Sequence, residues 1–143
     1  MQSPAQLFLR FMPPFIGTNF TSLEQAVLNA ICEMHLADRH MLEAQLLSAI
    51  VRSRENTGAG FFTRFDVERT AESAIRGERL RNGPEVRIDG LQHGMGFILW
   101  LKNGYAECLE GYSYQESTVS INLEQTGFEI ELHKKRISRG EHL

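Results

Sequence analysis

Arg54, Glu55, His93, Glu107 and Glu110 are the side chains of this sequence whose types a catalytic or ligand-binding site would use. A carboxylate raised in pKa by desolvation serves as a general acid or base, and an imidazole titrates close to neutrality. Arg54-Glu55-Asn56-Thr57 reads as one polar loop, and His93 precedes the apolar run that begins at Gly94. Glu107 and Glu110 are expected opposite Trp100 and Phe97 across a hairpin, where an aromatic neighbour would shelter them from water. Tyr112 and Tyr114 would then be aromatic residues at the rim. The same glutamates also read as solvent-reaching groups or as partners of Arg54 or Arg64. Their spacing alone does not bring them together.

Better-defined motifs fail on particular residues. Gly58-Ala59-Gly60 and Gly94-Met95-Gly96 suggest a phosphate loop, but Thr63 and Leu99 stand where a third glycine is needed, and both pairs open strands rather than helices. Gly111-Tyr112-Ser113-Tyr114-Gln115 begins like a nucleophile elbow, yet it lacks the closing glycine and ends an antiparallel strand. His35 and His40 are five residues apart across a helix break, and Cys32 and Cys108 have no ligand at a zinc spacing. No cofactor and no metal are expected. The two glycine pairs instead suit a bulge or a close backbone approach where strands begin.

Composition narrows the class further. The chain has 143 residues, enough for one domain with a sizeable core, and its 42% hydrophobic and 23% charged content is that of an ordinary globular protein. A formal charge of −3 offers no general field for nucleic acid or an anionic membrane. Leu7–Ile16 is apolar, but Arg10 interrupts it and Pro13-Pro14 follows, so it reads neither as a secretion signal nor as a membrane span. The two cysteines fall in apolar patterns, as buried thiols of a reducing, cytoplasmic setting do.

The element that must position everything else is 94–114. A long apolar run, Asn103-Gly104 and a second, more polar run make a hairpin, because a type I′ turn needs positive φ at both central residues. A straight register pairs Lys102 with Tyr105, Leu101 with Ala106 and Trp100 with Glu107, and so on to Gly96 with Gly111. It puts Ile98, Trp100, Tyr105 and Leu109 on one side, and Phe97, Leu99, Leu101, Ala106 and Cys108 on the other. The run 96–101 is apolar on both sides, so it belongs in the middle of a sheet.

The other elements follow from local rules. Thr21-x-x-Glu24 is a capping box that starts a helix running to about His35. Asp38 is placed to cap a second helix with Leu42, Leu46, Ala49 and Ile50 on its apolar face. The stretch 51–60 reads as a polar connection and 61–68 as a strand with one buried side. A surface loop with at most one helical turn covers 71–81, and a short strand spans 85–89. Clean alternation predicts a final hairpin of 119–124 with 128–133.

These elements give an α+β fold, an N-terminal helical hairpin packed on a mainly antiparallel sheet of about five to six strands. Residues 1–20 form an apolar arm, 21–133 a single domain and 134–143 a basic tail. The expected function is binding, to a protein partner or a second copy of the chain, as a toxin-neutralising or accessory protein would bind. The alternative is a small-molecule site or enzyme built on Arg54, Glu55, His93, Glu107 and Glu110.

Overall fold

The structure, a computed structural model, describes residues 19–131. The arm up to Thr18 and the stretch from Leu132 through the basic tail lie outside the described residues. Thr21 starts α1 (Ser22–Met34): its hydroxyl accepts the Glu24 amide at 3.1 Å and the Glu24 carboxylate accepts the Thr21 amide at 2.9 Å, so the capping box is formed. Leu23, Val27, Leu28, Ile31 and Cys32 are buried along one side of α1. A single 3-10 turn then leads into α2 (Arg39–Leu47), which buries Leu42, Gln45 and Leu46.

Among the described residues seven strands form one antiparallel sheet: β1 (Ile50–Asn56), β2 (Gly60–Asp66), β3 (Leu80–Asn82), β4 (Val86–Ile88), β5 (Met95–Lys102), β6 (Tyr105–Ser113) and β7 (Phe128–Ile130). Their spatial order is β1-β2-β6-β5-β4-β7, with β3 also beside β5. Both β3 and β4 lie along the same side of β5, separated by Gly83-Pro84-Glu85, where the proline has no amide to donate. The predicted α+β class therefore holds, and β5 is interior as expected. Phe61, Phe65, Phe97, Leu99, Leu101 and Leu109 meet the helices in one core, which also includes Phe20. Phe20 sits edge-on to Phe65 at 5.2 Å, so this member of the apolar arm packs on its own domain.

The hairpin turn forms as predicted, with φ of 54° at Asn103 and 89° at Gly104. The register does not run straight. After Lys102–Tyr105 and Leu101–Ala106 it shifts, and Trp100 faces Cys108, Leu99 faces Leu109, Ile98 faces Glu110 and Phe97 faces Gly111. A bulge at Glu107 absorbs the extra residue. The physical reason is Leu109: a straight register would put it on the outer side with Trp100, and the bulge returns it to the core, where it is fully buried.

Three other expectations are corrected. Residues 50–56 are an edge strand rather than part of a helix face and a loop, and Ile50 is 50% exposed. An edge strand has one neighbour and tolerates charges, and the bulge between Val51 and Ser53 hides its period. Asp38 does not cap α2; its carboxylate accepts Arg81 Nε at 2.7 Å and ties the helix start to β3. Residues 119–124 are turns, not a strand. Val119 is 75% exposed, while Ile121 and Leu123 are half-buried against the core, and β7 pairs with β4 instead.

Candidate functional site

The sheet presents two faces of different character. On the helix side the densest polar cluster is built around Glu24, which is 2% exposed. Its carboxylate accepts Arg54 Nε at 2.9 Å, Arg54 Nη2 at 2.8 Å, the Thr21 amide and the Thr63 hydroxyl. Arg54 Nη2 also donates to the Asn19 carbonyl at 2.6 Å. Every acceptor position of the buried carboxylate is used, which leaves no free oxygen for a substrate. The hydrogen bond from Arg54 to Glu24 raises the guanidinium's pKa, so Arg54 stays charged. The pair fastens the start of α1 to the edge strand β1. Sequence marks Glu24 only as a helix cap; its distance along the chain from Arg54 gives no sign of the pairing.

The remaining sequence candidates are dispersed. Arg54, Glu55 and Glu24 line a cleft of about 170 Å³ under residues 121–124. His93 lines a different cleft, of about 270 Å³, with Glu85, Arg87 and Glu131. Glu55 lies 3.6 Å from Arg64 in an exposed ion pair. Glu107 is the bulge residue and borders a hollow of about 430 Å³ with Arg52, Arg64 and Arg69. Glu110 does not face Phe97. It accepts the Trp100 indole N–H at 2.9 Å, diagonally across the hairpin. Arg54 and His93 are therefore not brought into one site.

Residue pairs in register share a face, so the outer side of the sheet can be read directly. Phe62, Glu110 and Ile98 form one row, and Arg64, Cys108 and Trp100 the next. Tyr112 follows beside Gly96, whose missing side chain leaves room for the phenol ring. The helices bury their apolar residues against the opposite face. Here the cover is arginine: Arg64 lies 5.0 Å from the Phe62 ring, Arg79 5.9 Å from Trp100 and Arg69 5.3 Å from Tyr105. Aromatic and arginine side chains together are the residue types that anchor protein contacts.

Burial and hydrogen bonding shift the titration of Cys32, Cys108, Tyr114 and Glu116. Burial pushes the Cys32 thiol up to about 12 and the Cys108 thiol to about 11. Both cysteines are free. Burial, with the hydrogen bond to Glu85, also raises the Tyr114 phenol. Glu116 moves the other way, because the backbone amides of Gln92 and His93 each donate to it at 2.7 Å.

A depressed folded pKa makes Glu116 stabilising above the ordinary glutamate value and loses that contribution as pH falls through the folded one. Wild type is therefore expected to weaken below about pH 5 through this loop junction, where an ordinary glutamate begins to titrate. Glu116→Gln should be less stable at neutral pH and show a smaller loss on acidification. Thermal melts of both proteins across that range check this. Equal acid slopes would remove Glu116 from the account.

Among the described residues no group of three or more His, Cys, Asp or Glu side chains is placed to hold a metal ion. No helix among them is long and apolar enough to cross a membrane. No family model, curated protein or solved structure matches this chain.

Proposed function

We propose that this protein acts by binding another protein chain, with the outer face of its sheet as the contact surface. The observation that carries this reading is the set of half-buried aromatic rings on that face, Phe62, Trp100 and Tyr105, each overlain by an arginine, with Tyr105 also donating its hydroxyl to the Thr70 carbonyl at 2.8 Å. Arginine over an aromatic ring is flat, always charged and weakly hydrated, so a partner surface displaces little water on contact. The fully bonded Glu24–Arg54 pair, and the separation of Arg54 from His93, favour this over a small-molecule site. The two unpaired, buried thiols fit a cytoplasmic, reducing setting.

Photo-crosslinking in cells tests it. p-Benzoyl-phenylalanine in place of Phe62 should yield a discrete protein adduct, and the same residue in place of Ala44, exposed on α2, should not. No adduct from position 62, or the same adducts from both positions, would overturn the proposal.

A further inference from the structure

The outer face carries its charge unevenly along the strands. From this we infer that the partner is a second copy of the chain, docked face to face about a twofold axis in the interface that runs across the strands. The inference rests on the reading of this face as the contact surface. Arg69, Arg79 and Lys102 stand near the Asn103-Gly104 turn, where Asp66 is engaged by Arg52 at 2.6 Å and Glu107 is a further carboxylate bordering the hollow that Arg52, Arg64 and Arg69 line. Toward the other end stand Glu55, which lies 3.6 Å from Arg64, Glu110, and Glu85, which accepts the Tyr114 hydroxyl at 2.7 Å; the cation at this end, Arg87, is matched by Glu129 at 2.8 Å. Lys102 and Gly96 are six residues apart on β5, which puts the two ends about 20 Å apart. That exceeds the screening length of about 8 Å in physiological salt, so each end acts on a partner as its own patch.

A twofold axis along the strands would set cations on cations. An axis across them reverses the second copy, so its acidic end meets the basic end of the first, and the reverse holds at the far side. With the axis between the row of Phe62 and Ile98 and the row of Arg64 and Trp100, Ile98 meets Trp100 of the second copy, Phe62 meets its Arg64, and the reverse pairs form as well, as an isologous contact requires. Four strands spaced about 5 Å apart and about 20 Å long give a patch of roughly 400 Å² per copy, smaller than a standard stable interface. The contact is therefore expected in the micromolar range.

Sedimentation equilibrium on the full chain tests the inference, using two charge-reversal variants at exposed positions, Arg79→Glu/Lys102→Glu and Glu55→Lys/Glu85→Lys. Wild type should dimerise between about 1 and 100 μM, and its dissociation constant should rise at least tenfold from low to high salt. Each variant alone should be monomeric over that range, with a melting temperature close to wild type. An equal mixture of the two should dimerise again, because each end then meets opposite charge. A monomeric wild type, a variant that still dimerises alone, or a mixture that stays monomeric would each overturn the second copy as partner. If wild type is monomeric while position 62 crosslinks to a different protein, the face remains a contact surface for another chain. No adduct from that position fails both readings.

Discussion

Replacing Arg54 with alanine is expected to destabilise the protein by about 3 kcal/mol, the low end of the range for removing one partner of a buried ion pair. The low end applies because the Arg54 side chain is 26% exposed and the Thr21 amide and Thr63 hydroxyl remain on Glu24. What remains is a carboxylate 2% exposed with its cation gone, in place of a complete set of charge-assisted bonds. The melting temperature should fall by about 10 °C, since each kcal/mol corresponds to about 3–4 °C for a domain of this size. The double variant Glu24→Gln/Arg54→Met keeps both threonine bonds available and buries no charge, so it should come within about 1 kcal/mol of wild type. Chemical denaturation of Glu24→Gln, Arg54→Met and the double gives the coupling directly. Additive losses would mean that Arg54 and Glu24 do not act as a pair.

Gly60→Ala should cost at least as much. At φ of 141° glycine alone is unstrained, and an added Cβ would lie 2.0 Å from the Gly111 carbonyl oxygen and 2.9 Å from Tyr112 Cα. Those are backbone atoms of the neighbouring strand and cannot turn aside as a flexible side chain would. The start of β2 must therefore separate from β6, which also strains the bond from the Gly60 amide to the Thr118 hydroxyl at 3.0 Å. Thr118 is fully buried, and Asn56 holds it with bonds to its hydroxyl and carbonyl. A loss of more than about 3 kcal/mol in a urea titration is expected, the size of other backbone clashes in packed positions. A melting curve matching wild type would show that the close approach at this point is relaxed in solution.

The glycine pairs are legible in the sequence as places of close approach, and the approach at Gly60 is of that kind. The capping box, the two helices, β2, β4 and the Asn-Gly turn are legible for the same reason: each is set by residues within a few positions of one another. The edge strand β1 is not legible, because strand composition reflects burial and an edge has little. The alternation at 119–124 misleads for the opposite reason. Ile121 and Leu123 are apolar because they lean on the core from a turn, with no sheet beside them. At the candidate site, Glu55, His93, Glu107 and Glu110 stand out by type alone, and nothing in the chain order says that Arg54 meets Glu24 thirty residues earlier.

Sequence by itself determined what short-range chemistry can determine here: where helices start, where the chain reverses, which strand must be interior and the α+β class. Tertiary structure alone decided the bulge at Glu107, the cross-strand neighbours of Phe62, Ile98 and Trp100 on the outer face, and the distribution of charge along that face. These depend on which residue stands across from which. One inserted residue reverses the facing of every side chain beyond it, and only the competition of Leu109 for the core decides whether that insertion occurs.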